Sequence, residues 1–341
     1  MRSHEVTQKL PLHNSDGTLR EPGWSRRPVQ IYSRAGVKAP HIRLKEWDYY
    51  LVVGQGYGIA LTIADNGYMG LNSVSLMDFG AASSIDKSIP TLFPMGKYKM
   101  PADSASPSIV RIGGKKLQMS FEVKEGQRHL VCFYKKFHKE QDFLCDILLQ
   151  EPDMDSLTIA TPWQEDKLAF YYNRKINCMP ASGWFELGGI RREFDPTTDF
   201  GTLDWGRGVW TYDNRWKWGS GNGVVQGKPF GFNLGYGFGD TAAASENIIF
   251  FDGKGHKFND ILFRFDKNDY MKPWKWESSD GRFDGNFIPV FDHFTKVDVG
   301  VLCTDGHQVF GNFTGKCILD DGRTLEIKNL FCFAEDVRMK Y

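Results

Sequence analysis

From Trp47 to the C-terminus, short apolar–polar alternations of period two recur between turn signals. That pattern leaves little besides antiparallel β structure open to such a chain. Leu117, Met119, Phe121 and Val123 alternate with Gln118, Ser120 and Glu122 behind a Gly113-Gly114 turn. Ile261, Phe263 and Phe265 alternate with Leu262, Arg264 and Asp266. Val309, Phe313, Cys317 and Leu319 share a strand face; Asp320-Asp321-Gly322 then signals a hairpin, beyond which Leu325, Ile327, Phe331 and Phe333 continue. Few windows hold the i, i+3, i+4, i+7 pattern for three turns, so helices should be short and peripheral. Composition agrees: 36 Gly and 14% aromatic residues, among them 10 Trp and 26 Phe, suit many short strands and tight turns.

About ten strand candidates lie between 44 and 194 and about eight between 208 and 334. Eight to ten antiparallel strands suit a closed barrel able to hold one small ligand, and closure hides sheet edges. The reading is therefore an all-β protein of two tandem lipocalin-like barrels. Residues 1–195 form the first, with an extended polar arm over 1–43, and 196–341 the second. Glu193 to Thr202, punctuated by Pro and Gly, marks the junction. One large β-sandwich is the competing architecture.

The chain carries 42 basic and 42 acidic residues, so no basic surplus points to nucleic acid. No stretch approaches the ~20 apolar residues of a membrane span. The N-terminal sequence MRSHEVTQKLPLHNSDG lacks the apolar centre of a signal peptide, which predicts a cytoplasmic protein. Cys132, Cys145, Cys178, Cys303, Cys317 and Cys332 form no C-x-x-C pair and sit mostly in apolar runs, as buried free thiols do. No zinc motif, phosphate loop or nucleophile elbow occurs, so neither a metal nor a cofactor is expected.

The most informative segment runs from Asp204 to Gly219. Read as one strand, it puts Trp210, Tyr212, Asn214, Trp216 and Trp218 on one face. Trp and Tyr are favoured where one end of a side chain meets ligand, so this row suggests the aromatic wall of a cavity, with Asn214 as a polar contact. Large aromatics filling a barrel core or an interface explain it equally. Asp204 and Arg207 bracket a Gly turn before that row; together they make either a charged cavity floor or a structural ion pair.

Further along, Gly231 to Gly239 places Gly at nearly every second residue around Asn233, which thins one strand face for close approach of backbone or ligand. Glu246 and His256 are acid–base candidates, with Asn247 beside the former. Trp274 and His307 complete the ligand-binding candidates, His307 at a cavity mouth. The plainer readings are a solvated carboxylate, a turn-stabilising imidazole and a strand cap.

The run Leu203-Asp204-Trp205-Gly206-Arg207-Gly208-Val209-Trp210, followed by Trp216-Lys217-Trp218-Gly219, resembles a bacterial family known as domain of unknown function 2804. Similar stretches continue through Ser245-Glu246-Asn247, Pro273-Trp274, Ser279-Asp280-Gly281-Arg282 and Phe333-Ala334-Glu335, and in the N-terminal half at Pro22-Gly23-Trp24 and Glu46 to Tyr50. Thr211 and Ser245 depart from the family pattern. The resemblance brings no reaction with it. More distantly, two barrels in tandem look like the carotenoid hydratase and tocopherol cyclase group of lipocalin-like proteins, which implies a cavity for a hydrophobic small molecule.

Three functions follow from these readings. The first is hydration, isomerisation or cyclisation of a hydrophobic small molecule by Glu246, His256 or Asp204 in an aromatic cavity. The second is a non-catalytic lipid or pigment carrier. The third is a carbohydrate-active protein using Trp216, Trp218, Trp274 and Trp276 as sugar platforms with paired carboxylates.

Overall fold

The computed structural model describes residues 3–300 and 302–340. Among them the only helix is one 3-10 turn at Arg34–Gly36; the remaining regular structure is strand, antiparallel except for the short parallel pair of Leu10–Pro11 with Gln30–Ile31. The period-two pattern is realised directly. In the Leu117–Lys124 strand the odd-numbered side chains Leu117, Met119, Phe121 and Val123 are all buried, while Gln118 and Lys124 are exposed.

All strands outside that pair form two curled sheets, the tandem lipocalin-like arrangement. The path through the first runs Ser83–Leu92, Met69–Asp78, Tyr57–Asp65, Leu44–Gly54, Phe200–Val209, Phe170–Leu187, Gln141–Gln150, Gln127–His138, Leu117–Lys124, Ser108–Gly113. The second runs Lys254–Lys257, Ile248–Phe251, Lys228–Tyr236, Asp213–Val225, Thr324–Lys340, Cys303–Ile318, Phe283–Asp298, Trp274–Ser278, Ile261–Arg264. Neither ladder of hydrogen bonds closes into a ring among the described residues, so the expected closure is replaced by strong curling. In the second sheet, side chains bridge the gap: Phe263 N–H donates to the Tyr236 hydroxyl at 3.2 Å.

Each sheet wraps a filled core. The first is built around Tyr50, Phe121, Leu130, Phe143 and Trp205. The second holds Phe232, Trp274, Trp276, Phe283, Phe287 and Phe313 in stacked and edge-on contact. Both interiors are occupied by side chains. All six cysteines are unpaired, five of them buried. No helix among the described residues is long and apolar enough to cross a membrane.

The segment 204–219 is not one strand. Asp204 to Val209 ends Phe200–Val209, which pairs with Phe170–Leu187 and Leu44–Gly54 in the first sheet. The chain then crosses at Trp210 to Tyr212 and starts the second sheet at Asp213. The first sheet therefore keeps the chain beyond the Glu193 to Thr202 junction that the sequence suggests. The punctuation there belongs to the turn that returns the chain from Ile190–Phe194 to Phe200–Val209.

The sheets meet along a seam. Trp24, Ile159, Tyr171, Ile248 and Phe250 form an apolar wedge at one end. Leu51, Met77, Phe79, Phe310 and Phe333 form another. Between them the long Phe170–Leu187 strand carries a bulge at Asn177 and Cys178, where its register shifts against Phe200–Val209 and Cys178 takes φ +57°. Asn222 of the second sheet caps this bulge, its Oδ1 accepting from Cys178 N at 2.8 Å and from Asn177 Nδ2 at 2.9 Å.

Candidate functional site

Strand parity selects what faces the seam. On Phe200–Val209, Leu203, Trp205 and Val209 enter the first core, leaving Thr202, Asp204, Gly206 and Gly208 on the other face. The two glycines there make room: a Cβ on Gly206 would lie 1.9 Å from Trp47 Cζ2. Trp47 is thereby laid flat along the seam, stacked on Tyr171 at 6.2 Å and edge-on to Trp210 at 5.4 Å. Gly206→Ala is expected to displace Trp47 and lower stability by about 1–3 kcal/mol, checked by urea unfolding.

Beside Trp47, Asp204 is tightly held. Its Oδ1 accepts from Asn173 Nδ2 at 2.5 Å and Trp47 Nε1 at 3.2 Å, and its Oδ2 pairs with Lys175 Nζ at 3.0 Å. Lys175 in turn lies 3.9 Å from the centre of the Trp218 ring. From the second sheet, Trp218 Nε1 donates to Asn233 Oδ1 at 2.7 Å. Asn233 Nδ2 donates to the Glu246 carbonyl at 2.9 Å and reaches Glu246 Oε2 at 3.4 Å. Gly235 leaves the space that Glu246 occupies, since a Cβ there would sit 3.0 Å from its carboxylate. Tyr171 closes this side by hydrogen bonding Glu246; burial first, then the nearby carboxylates, hold its phenol well above the usual range.

Opposite, Glu335 is buried beside the same ion pair. Trp216 Nε1 donates to its Oε2 at 3.2 Å and Gln308 Nε2 to its Oε1 at 2.8 Å. Burial pushes its carboxyl up to about 7; the two hydrogen bonds and Lys175 oppose that shift, and Asp204 adds to it. Tyr49 borders it through Gln308, at 3.3 Å, and its phenol is raised chiefly by burial. Trp47, Tyr49, Asp204, Trp210, Trp216, Phe238 and Glu246 are all only half-buried and form a mainly aromatic margin around the buried Glu335, Lys175, Asn173 and Asn233.

Six of the residues picked from sequence thus meet in one place: Asp204, Trp210, Trp216, Trp218, Asn233 and Glu246. The setting differs from the expected barrel interior, because the tryptophan face of Asp213–Val225 looks toward the other sheet. The remaining candidates lie elsewhere. Arg207 points into the first core, opposite to Asp204. It pairs there with Asp48 at 3.1 Å and sits 4.0 Å from Glu46, so neither the charged floor nor the Asp204–Arg207 pair exists. Tyr212 is exposed, and Asn214 binds its own turn through the Thr211 carbonyl at 2.6 Å. Asn247 braces the backbone at Gly235 and Asn259. His256 meets the Asp320 turn at 3.2 Å, where burial lowers its basicity.

Trp274 is 1% exposed in the second core, and Trp276 is fully buried, so neither is a sugar platform. His307 stacks on Tyr270 at 3.6 Å and bonds Asp292 at 2.7 Å, on the interior side of its strand. Sequence reasoning overlooks Lys175, Asn173 and Tyr171, which lie in a strand buried on both faces, and Gln308, Tyr49 and Trp47 as seam residues. It also leaves Glu335 out of the acid–base candidates. Among the described residues no cluster of His, Cys, Asp and Glu suits a metal ion.

Two curled antiparallel sheets with a shared seam define a tandem-barrel protein of the lipocalin-like kind. The chain belongs to the domain of unknown function (DUF2804) family, whose model matches residues 3–341. No curated protein matches it in sequence. Solved structures share the fold at low identity. CghA with Sch210972 is 8% identical over 87% of this chain and 88% of its own, with a TM-score of 0.52. Kievitone hydratase from Nectria haematococca is 10% identical over 91% and 93%, with a TM-score of 0.52. A putative AttH from Nitrosomonas europaea is 11% identical over 86% and 92%, with a TM-score of 0.51.

Proposed function

We propose that the seam binds a hydrophobic small molecule and performs acid–base chemistry on it, with Glu335 as the proton donor. The observation that carries this reading is a buried carboxyl poised at about 7, held by Trp216 and Gln308 beside the Lys175–Asp204 pair. A general acid works best when its pKa lies near the working pH. In a hydration, the electron pair of a carbon–carbon double bond takes the Glu335 proton. The indole face of Trp216 shields the resulting cation. Water adds to that cation, and Glu246, braced by Asn233 and Tyr171, accepts the proton that the water releases. Isomerisation or cyclisation uses the same first step, and the proton is then lost from carbon. One of the structural neighbours is named a hydratase, which agrees in kind, although the reading rests on these residues. The second reading, a carrier, needs the aromatic margin without the acid.

The test is to incubate an apolar extract of the source cells with the wild-type protein and with Glu335→Gln, and compare the products by mass spectrometry. A component should be converted to a product of equal mass or one heavier by a water, and Glu335→Gln should slow this by about 10²–10⁴-fold. Co-purification of an unchanged ligand, with no conversion by either protein, would establish the carrier and remove the acid role.

A further inference from the structure

Beyond Glu335 the seam continues into a cleft of about 340 Å³. Phe79, Phe310, Phe331 and Phe333 wall it, with ring centroids 4.6–6.2 Å apart across the Phe79–Phe331, Phe79–Phe310, Phe310–Phe333 and Phe310–Phe331 contacts. Among the described residues no Lys, Arg or His lines it, and the one charged group is Asp199. That carboxylate accepts from Asp195 N at 2.9 Å and Thr198 Oγ1 at 2.8 Å. Of the two lining amides, Asn222 spends its groups on Thr202, Asn177 and Cys178, and Gln55 is exposed to solvent. An anion entering here would lose its hydration, gain no cation and face a like charge.

The cleft adjoins the acid through its Phe333 wall. Phe333 and Glu335 share one strand face two residues apart, ~7 Å along the chain. Trp218 packs edge-on to Phe333 at 4.8 Å and receives Lys175 on its ring. We propose that this phenyl-walled cleft takes the apolar body of a neutral, ring-containing ligand, presents its reacting end to Glu335, and rejects anionic amphiphiles such as fatty acids. This rests on the reading of the seam as a ligand site and adds the ligand class.

Two fluorescent probes with one ring system test it: N-phenyl-1-naphthylamine, which is neutral, and 1-anilinonaphthalene-8-sulfonate, which carries a sulfonate. The neutral probe should bind the full-length protein at least about tenfold more tightly, a difference of about 1.4 kcal/mol. Val53→Trp, which fills the cleft at a half-buried lining position, should weaken the neutral probe by a similar factor. Phe331→Ala, which removes a wall, should do the same and serves if the first variant does not fold. Equal or tighter binding of the sulfonate, or neutral-probe binding untouched by the variant that folds, would overturn the proposal. Glu335→Gln should leave probe binding unchanged. Loss of the cleft and loss of the acid role therefore give different results.

Discussion

Glu335→Gln is expected to be more stable than the wild-type protein at pH 8 while being the least active variant. The carboxyl is buried in the folded protein and raised from about 4.5 to about 7. Between those values the folded state holds a proton that the unfolded chain has released. Stability contributed by this group is therefore full below about pH 4.5 and falls as pH rises toward 7. One bound proton is worth about 1.4 kcal/mol for each pH step, so the wild-type protein loses about 3 kcal/mol over that window. Gln removes the titration. It also presents an amide N–H₂ to one of two donors, and Gln308 must turn its own amide to accept it, so the gain at pH 8 is nearer ~1–2 kcal/mol. Urea unfolding at pH 5 and pH 8 reads this directly. A variant whose stability tracks the wild-type pH profile would show that Glu335 is ionised throughout.

The second large effect lies inside the first core. Arg207 is fully buried, donating to Asp48 at 3.1 Å, to the Trp47 and Gly206 carbonyls at 2.8 and 2.7 Å, and to the Pro101 carbonyl at 2.7 Å. Glu46, which also takes Tyr32 at 2.8 Å and pairs with Arg34, lies at the edge of the same group. Arg207→Ala is expected to cost about 3–5 kcal/mol, because it strands Asp48 without its cation. Burial already raises the Asp48 carboxyl, and Arg207 opposes that rise. Without the guanidinium the folded pKa climbs further. The variant's deficit should then be smallest at acid pH, where Asp48 is neutral, and grow as pH increases. Adding Asp48→Leu should recover much of the loss, which a double-mutant cycle measures.

These two residues also show how far the sequence can be read. Alternation announces strands wherever one face meets a core and the other meets water, as at Leu117–Lys124. It fails where both faces are covered. Phe170 to Met179 is buried without interruption, so Asn173 and Lys175 read as exposed polar positions when they in fact face the other sheet, and Arg174 between them faces Glu151 on the opposite side. Glu335 follows Phe-Cys-Phe-Ala and looks like the end of a strand, yet the strand runs on to Lys340. The tryptophans are visible as an unusual row, but not that the chain changes sheet at Trp210 to Tyr212, since three residues do not break a period of two convincingly. Asp204 and Arg207 are three apart, which on a strand means opposite faces; a turn reading hides this. Gly206 and Gly235 stand out, and only the close approach of Trp47 and Glu246 shows why a side chain is excluded there.

The N-terminal arm sets an order on the making of this protein. Ser3 bridges Ala244, His4 N–H donates to the Ala243 carbonyl at 2.9 Å, and Arg26 reaches Asp155 and the Gly255 carbonyl. Ser3, His4 and Arg26 therefore find Ala244, Ala243 and Gly255 only after more than two hundred further residues have been added. Phe200–Val209 likewise fills the gap between Leu44–Gly54 and Phe170–Leu187 late in synthesis. Until it arrives, two strands carry bare edges that invite pairing with other chains. A nascent chain of this kind stays sticky until Phe200–Val209 has been made.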